Sequence, residues 1–395
     1  MTRPAQYADG DDTVPYDREL IRSGGTSRGR SARRRAEFQS PPPRRAPRPR
    51  RRSSFWRTFR TVLLLALLAI VVVGVVLFVR AASFNAAVSS APFPSTALLW
   101  DLNGSERVNV LMIGYGGGDH DGAYLADSIQ ILSIDPQTDT TTTIPIPRDL
   151  WIEGIAAYGQ NGKVNEVYAV GHGAVDGEEP ARLDNAGDLM TDVLTDVTGL
   201  RIDHWLAIDF AGFEEMVDAV GGVTVDNPVA FDYTTIEQFH REGRWEMGGF
   251  AAGEIHLDGD QALAYARARY TSVVAESNDF ARSVRQARIL GALRTKLGDG
   301  GIASIPSGLG LMDAMEQRVR TDLSAIDLFL LSSHLSSDRR VELTEDLALT
   351  ATTNTVGQYI LVPVGWTGPG DYGRLHAYLA DELARSAVTG ATDAP

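Results

Sequence analysis

The sequence predicts an α/β domain behind a single transmembrane helix, and three observations indicate this. Nineteen uncharged, mostly aliphatic residues form one uninterrupted run at residues 61–79. Beyond that run, short apolar segments of strand length alternate with segments of helical periodicity, which favours a layered α/β domain. The chain contains no cysteine, so neither a disulfide framework nor thiol chemistry is available to it.

The apolar run has the length of a membrane span. At about 1.5 Å per residue, a helix over residues 61–79 crosses a hydrocarbon core of roughly 30 Å. Residues 44–60 carry eight arginines and no acidic residue. The positive-inside rule therefore predicts a single-pass cell-membrane protein with a cytoplasmic N-terminus and its main domain outside. A cleavable signal peptide is the alternative, but its apolar region is shorter and it rarely follows so long a lead.

The segment before the span is strongly basic. Residues 1–60 contain sixteen arginines, no lysine and six acidic residues, with proline-rich stretches between them. This composition buries too little apolar surface to offset its ordering entropy, so we predict a disordered cytoplasmic tail. The tail is best explained as a topology signal that also contacts anionic membrane lipid. Nucleic-acid binding is less favoured, because no aromatic residues for base stacking are interleaved in the arginine run.

The part beyond the tail is acidic. Residues 61–395 hold 21 basic and 45 acidic residues, a net charge of about −24. This argues against a nucleic-acid partner and makes any local convergence of basic residues informative. Residues 80–104, with two prolines and many small residues, are predicted to be an extracytoplasmic spacer.

Strands and helices alternate through the rest of the chain. The predicted strands are short apolar runs at residues 107–114, 128–134, 141–146, 204–209, 223–225 and 358–364. The predicted helices show apolar residues at helical spacing over residues 183–197, 212–220, 258–266, 280–297 and 372–385. Residues 226–256 are predicted to be irregular, and residues 298–355 give no clear pattern.

Basic residues of the outer part concentrate in one cluster between residues 266 and 288. Its members are Arg267, Arg269, Arg282, Arg285 and Arg288. Arg267 and Arg269 point the same way if the segment is extended, and Arg282 and Arg285 share a face if theirs is a helix. Two such pairs form a fork for a multivalent anion such as phosphate. Spacing alone favours the other interpretation, a solvated helix face paired with nearby carboxylates.

Polar residues also follow the third predicted strand. Arg148 and Asp149 come directly after its proline-rich end, and Lys163 lies further along the chain. Ligands of α/β sheets bind outside the carboxyl ends of strands, so this pair is a candidate for a site. A surface ion pair at a turn is an equal alternative.

Carboxylates lie beside a glycine-rich loop, residues 114–118. Asp127 opens the second strand, and Asp119 and Asp121 stand at the end of the loop. Carboxylates near converging arginines suit a magnesium–phosphate site, although Asx-type turns explain them equally well. The loop lacks the Gly-Lys-Ser/Thr of a nucleotide cradle. Zinc and serine hydrolases are unsupported, because the chain has neither His-Glu-x-x-His nor Gly-x-Ser-x-Gly.

Seven segments, in order and behind one N-terminal anchor, carry a resemblance to a known family. They are RVNVLMIG, DSIQILSID, IPRDLWI, GKVNEVYAVG, TGLRIDHWLAIDFAGFEEMVDAVGGVTV, LDGDQALAYARAR and NDFARSVRQARIL. Together they resemble the LytR–CpsA–Psr family of cell-envelope proteins. Each segment is weak alone, but their order over residues 107–297 is specific.

The resemblance implies a fold and an activity. The fold is a three-layer α/β/α sandwich with a mixed central sheet and an apolar pocket for a lipid. A catalytic domain occupies residues 105–300, and residues 301–395 form a C-terminal extension that completes it. The activity is Mg²⁺-dependent transfer of a glycopolymer from a polyprenyl-pyrophosphate carrier to peptidoglycan or another wall acceptor.

The resemblance also assigns roles by position. Residues that would hold the pyrophosphate are Arg148, Lys163, Arg267, Arg269, Arg282, Arg285 and Gln286. Asp127 would bind the metal, and Asp127, Arg148 and Asp149 are the catalytic candidates. Gly116 and Leu125 stand where the family usually has Asp and Arg, so Asp119 or Asp121 would supply the second metal carboxylate.

The motif at residues 209–223 is predicted to be structural, with Phe210, Phe213 and Val217 in the core. Two other functions stay open. The same site with water as acceptor would make a polyprenyl-pyrophosphate phosphatase. The altered loop at residues 114–121 is compatible with a non-catalytic envelope-binding or regulatory protein. Transcriptional control is disfavoured, because the cytoplasmic part shows no helix-turn-helix pattern.

Overall fold

The computed structural model describes residues 54–104, 106–118, 122–297, 305–332, 334, 339–345 and 347–392. Most of the predicted cytoplasmic tail, and the candidate metal ligands Asp119 and Asp121, lie outside these residues. The chain divides into two units, residues 1–63 and 64–395. The described part of the first unit belongs to the beginning of the first helix.

Strands and helices alternate as the sequence predicts. The strands are β1 (Val108–Tyr115), β2 (Ala126–Asp135), β3 (Thr140–Pro145), β4 (Trp151–Ile152), β5 (Gly162–Lys163), β6 (His204–Asp209), β7 (Val223–Asn227), β8 (Phe231–Thr234), β9 (Gly249–Phe250), β10 (Gly253–Leu257), β11 (Tyr270–Thr271), β12 (Val319–Thr321), β13 (Arg339–Arg340), β14 (Leu349–Thr353) and β15 (Tyr359–Pro363). The helices are α1 (Ser54–Val88), α2 (Ala97–Leu102), α3 (Val164–Gly173), α4 (Glu179–Thr198), α5 (Phe210–Ala219), α6 (Glu237–Arg241), α7 (Gly259–Arg267), α8 (Asp279–Lys296), α9 (Ile305–Met315), α10 (Ala325–Ser332) and α11 (Gly373–Thr392).

Helix α1 contains the predicted membrane span. Its portion Trp56–Val88 has a mean hydropathy of 3.5 over its most apolar window and is long enough to cross a membrane. The helix continues beyond residue 79, into the segment predicted to be a spacer. Phe84 and Val88 are buried there against Val319, because their spacing of four places both on one helix face. Proline and small residues suggested a spacer, whereas these apolar side chains anchor the segment to the domain.

The central sheet has six strands in the order β12-β6-β1-β2-β3-β13. β1 is antiparallel to β2 and parallel to β6, while β3 is antiparallel to β2 and parallel to β13. The sheet is therefore mixed, as predicted. β1 is apolar apart from Asn109 and is largely buried on both faces.

Helices cover both faces of this sheet. On one face, Leu111 and Trp205 pack with α3, α4 and α11 in the largest core cluster. On the other face, Val110 and Leu132 pack with α2 and α10. The alternation of Val110 and Leu111 reflects the two-residue period of a strand. This confirms the predicted three-layer sandwich.

A second, smaller core lies beside the sheet. It joins α5, α7 and α8 to the short strands β7, β8 and β10 through residues such as Val217, Phe231 and Leu257. Residues 226–256 were predicted to be irregular, but the structure contains β8, α6, β9 and most of β10 there. Strands of two to five residues are too short for a visible alternation, and their order depends on pairing with distant partners.

His204, at the start of β6, links two elements at the edge of the fold. Its ring lies 3.0 Å from a carboxylate oxygen of Asp101 on α2 and 3.1 Å from one of Asp322 after β12. Burial lowers the pKa of His204, but the hydrogen bonds to Asp322 and Asp101 outweigh it, so the pKa is raised.

Candidate functional site

A cavity of about 610 Å³ opens at the carboxyl ends of the parallel strands β1 and β6. One part of its wall is apolar and includes Met112, Leu206, Ile208, Phe213, Leu263, Ile289 and Leu290. Another part is polar and includes Asp127, Arg148, Arg267, Arg269, Arg282 and Gln286. Ligand sites of α/β sheets are expected at this edge. The cavity therefore offers one ligand both an apolar surface and a cluster of cations.

Asp127 reaches the cavity because the start of β2 is irregular. Gly114 pairs with Ser128 and Tyr115 with Ala126, so Asp127 is the extra residue of a bulge. Bulges re-aim a side chain at the edge of a sheet. Arg148 donates a hydrogen bond of 2.9 Å from Nη1 to Oδ1 of Asp127. Among the described residues, no group donates to the second oxygen of this carboxylate.

Arg148 is held by a second carboxylate behind the cavity. Its Nε lies 3.7 Å from Oδ2 of Asp149, and Nζ of Lys163 lies 2.5 Å from Oδ1 of the same residue. Asp149 is buried and does not line the cavity. Lys163 also lies outside the cavity wall. It belongs to β5, and the pairing of β5 with β4 brings its side chain to Asp149. The two residues thus position Arg148.

Arg267 and Arg269 both line the cavity at the end of α7. Ala268 between them is buried while both arginines are exposed, which is the alternation of an extended segment. The Arg267 guanidinium stacks 4.2 Å from the ring centre of Phe210. Within the described residues neither guanidinium donates a hydrogen bond. Both are therefore available to an anion.

Arg282 and Gln286 face the cavity from α8. They are four residues apart, so they lie one turn apart on the same face of the helix. Oε1 of Gln286 accepts hydrogen bonds from Ser128 at 3.0 Å and from Gln130 at 3.3 Å, both on β2. This contact fixes the face of α8 that is turned to the sheet.

Arg285 does not reach the cavity, although the sequence predicts that it binds pyrophosphate. It is fully buried, and Nη1 donates to the side chain of Glu276 at 2.7 Å and to its carbonyl at 3.1 Å. Nε donates to the carbonyl of Tyr265 at 3.0 Å, and Nη2 to that of Ala268. Burial lowers its pKa, while Glu276 opposes this. Successive helical residues differ by about 100°, so Arg285 turns away when Gln286 faces the cavity.

The predicted metal ligands are only partly described. Asp127 lines the cavity, whereas Asp119 and Asp121 lie outside the described residues. Within the described ranges, no three His, Asp or Glu side chains cluster as a metal site. Mg²⁺ is commonly held by one or two carboxylates together with phosphate oxygens and water. Asp127, with one carboxylate oxygen not engaged by described residues, fits that donor set.

The sequence analysis missed several residues of the cavity wall. Phe210 and Phe213 were predicted to be core, but both line the cavity. Glu214 and Asp260 also line the cavity. Burial raises the pKa of Glu214, and repulsion from the carboxylates of Asp260 and Asp218 raises it further. The signal for Phe210 was present, because it directly follows the carboxyl end of β6.

Comparisons with known proteins agree with this architecture. The LytR_cpsA_psr family model matches residues 80–363. The polyisoprenyl-teichoic acid–peptidoglycan teichoic acid transferase TagU of Bacillus cereus is 28% identical over 229 residues, which are 58% of this chain and 64% of that protein. The TagU of Halalkalibacterium halodurans is 27% identical over 266 residues, 67% of this chain and 77% of that protein.

Solved structures show the same fold. The crystal structure of Bacillus subtilis TagV is 23% identical to the chain, with a TM-score of 0.50. The match covers 70% of this chain and 96% of that one. Against the Bacillus cereus relative, the chain spans just under two thirds of the length.

Proposed function

The chain belongs to the LytR–CpsA–Psr family, and from this premise we propose that it is a membrane-anchored glycopolymer phosphotransferase. It would move a glycopolymer from a polyprenyl-pyrophosphate carrier to peptidoglycan or a related cell-wall acceptor, with Mg²⁺. One observation carries the proposal, namely that one cavity joins an apolar wall to a cluster of arginines. The relatives are named as transferases of teichoic acid between a polyisoprenyl carrier and peptidoglycan.

The apolar wall suits the prenyl chain of the carrier. Met112, Leu206 and Ile208 come from the sheet, while Leu263 and Ile289 come from α7 and α8. Removing prenyl carbons from water is favourable by roughly 0.8 kcal/mol per buried CH₂ group. The cavity would therefore retain the lipid while its head group lies at the polar wall.

The polar wall suits the pyrophosphate. The guanidinium groups of Arg267 and Arg269 have no hydrogen-bonding partner among the described residues, and Arg148 lines the same cavity beside Asp127. Arginine forks match phosphate geometry, and each charge-assisted bond contributes roughly 1.5–3 kcal/mol. Phosphoryl transfer depends mostly on positioning and charge stabilisation, so the site needs no covalent nucleophile.

The reaction follows from this placement. The acceptor hydroxyl oxygen attacks the phosphorus that carries the glycan, and the bond from that phosphorus to the bridging oxygen breaks. The prenyl phosphate leaves with the electron pair, held by the arginines, and the hydroxyl proton passes to solvent, because Arg148 and the metal would engage both oxygens of Asp127. Mg²⁺, when bound, would neutralise charge on the phosphate oxygens, with Asp127 sharing in its coordination.

The proposed topology places this site outside the membrane. The arginines before α1 direct the N-terminus to the cytoplasm, and a wall acceptor is available only on the other side. The basic segment would also contact anionic lipid heads.

The test uses the full-length protein in detergent with a short prenyl-pyrophosphate-linked glycan, Mg²⁺ and soluble peptidoglycan fragments. We expect Arg267→Met and Arg269→Met each to lower kcat/KM for transfer by about 10- to 150-fold, one lost charge-assisted interaction apiece. Arg241→Met is the matched control, since Arg241 is 69% exposed and pairs only with Glu237 on its own helix among described residues. Wild-type rates in both cavity variants would overturn the proposal.

A further inference from the structure

A small side pocket of about 80 Å³ adjoins the main cavity. The two share one wall, formed by Asp127, Ser128, Arg148, Arg282 and Gln286. The other side of the pocket is formed by β13 and the residues after it, including Arg340, Glu342 and Thr344. A group bound there would lie directly beside the proposed pyrophosphate position.

Arg340 reaches this pocket because of its place on an edge strand. β13 pairs in parallel with β3, with Arg340 opposite Thr143. Successive residues of a strand point to opposite sides. Arg339 accordingly turns to α11, where it pairs with Glu382, and Arg340 turns to the pocket.

Arg340 is half-buried, and one nitrogen of its guanidinium is buried without a partner. Its Nη1 is inaccessible to solvent and has no hydrogen bond among the described residues. Burial lowers the pKa of Arg340, the charge of Glu342 raises it, and the charge of Arg288 lowers it further. Glu342 itself is exposed and makes no ion pair with Arg340 among the described residues. Burying an unpaired charged group is unfavourable unless something else compensates it.

A purely structural role does not explain this arrangement. Arg285, the structural arginine of the same region, donates to one carboxylate and three carbonyl oxygens. Arg340 has no such bonds within the described part of the chain. Its buried Nη1 therefore lacks an acceptor among the described residues, as expected of a group that binds a ligand.

We infer that the side pocket binds an acidic substituent, a carboxylate or a phosphate, of a glycan that reacts in the main cavity. This rests on the proposed function. The pocket is much smaller than the main cavity, about 80 Å³ against about 610 Å³, and suits a single substituent rather than a whole glycan. A planar carboxylate or a phosphate matches the fork of the guanidinium. The substituent could belong to the acceptor or to the donor glycan, and the experiments separate these sources.

The first experiment measures binding without turnover. Full-length protein in detergent is titrated with N-acetylmuramic acid, which carries a carboxylate, with N-acetylglucosamine 6-phosphate, and with N-acetylglucosamine, which carries no acid. The same titration in Arg269→Met, which lacks an arginine of the main cavity, separates binding there from binding at Arg340. We expect at least one acidic sugar to bind tenfold more tightly than the neutral one, and Arg340→Met to abolish that difference. Arg201→Met is the control, because Arg201 is 66% exposed and lies outside both cavities.

Two outcomes would overturn the inference. One is that neither acidic sugar binds better than the neutral sugar, and the other is that Arg340→Met binds them as wild type does. Because no transfer is needed, this result is independent of whether the enzyme turns over. Failure of wild-type transfer would instead reject the proposed function.

The second experiment assigns the source of the substituent. In the transfer assay, an acceptor site predicts that Arg340→Met raises KM for the acid-bearing acceptor about tenfold and leaves KM for the donor unchanged. A donor site predicts the reverse, and unchanged values for both would overturn the inference.

Folding is checked by thermal unfolding, where Arg340→Met should melt no lower than wild type, since it removes an uncompensated charge. A melting point lowered to the extent expected for Arg285→Ala would show a structural arginine instead. Arg340→Lys, which keeps the charge without the fork, should recover only part of the binding.

Discussion

Replacement of Arg285 by alanine separates the structural arginine of this site from the arginines that face the cavity. The side chain is fully buried and donates four hydrogen bonds, one of them to a carboxylate. The variant would leave Glu276, 14% exposed, and the carbonyls of Tyr265 and Ala268 without this donor. Removing one partner of a buried ion pair typically costs about 3–5 kcal/mol of unfolding free energy.

This cost translates into a measurable change in Tm. For a domain of this size, 1 kcal/mol corresponds to about 2 °C, so Arg285→Ala should lower Tm by about 6–10 °C. The measurement is thermal unfolding of the full-length protein in detergent, followed by intrinsic tryptophan fluorescence. Arg269→Ala is the matched variant, because Arg269 is exposed and should leave Tm within about 1 °C of wild type.

The two variants should also differ in activity. Arg269→Ala should lose transfer at every temperature, whereas Arg285→Ala should lose it mainly as the protein unfolds. A wild-type Tm in Arg285→Ala, together with lost pyrophosphate binding, would refute the structural assignment and restore Arg285 as a substrate ligand.

Three further predictions follow from individual contacts. Asp127→Asn should lower the rate of transfer at least tenfold but change the unfolding free energy by less than about 1 kcal/mol, because the ion pair of Asp127 with Arg148 is partly exposed. A transfer assay checks the rate, and a melting assay checks the stability. His204→Gln should lower the unfolding free energy relative to wild type at pH 6 and change it little at pH 9. The pKa of His204 is raised in the folded state, so its stabilising effect is complete below the unfolded pKa of about 6.5 and is lost as pH rises through the folded-state pKa. Gly117→Ala should destabilise the protein by about 1–2 kcal/mol in denaturant titration, because φ is 70° and the added Cβ would lie 2.8 Å from Cβ of Asp209; wild-type stability in this variant would show that the loop is free to move.

The elements that the sequence predicted best are those with a strong local signal. β6 matches the predicted residues 204–209, and α7 differs by one residue from the predicted 258–266. α7 begins with a capping box in which the side chains of Asp258 and Gln261 bond each other's backbone N–H, a signal that sequence carries locally. Such elements need no distant partner to be recognised.

The parts that escaped prediction depend on distant partners or on fine geometry. β13 has two residues and exists only because it pairs with β3, almost 200 residues earlier in the chain. Arg340 was therefore invisible as a site residue. Spacing placed Arg282 and Arg285 on one helix face, but the contact between Gln286 and β2 sets the rotation of α8. That rotation, which only the packed structure determines, turns Arg282 into the cavity and Arg285 away from it.

The central claim is that the cavity joins a glycan to a wall acceptor through its phosphate, and the product shows this most directly. Full-length protein would be incubated with the prenyl-pyrophosphate-linked glycan, Mg²⁺ and peptidoglycan fragments, and the products identified by mass spectrometry. The account predicts glycan linked to the fragment through a phosphodiester, with release of prenyl phosphate, and linkage about 10- to 150-fold slower in Arg269→Met. Free glycan phosphate with unmodified fragments would contradict it and identify a hydrolase, and bound lipid without any turnover would identify a binding protein.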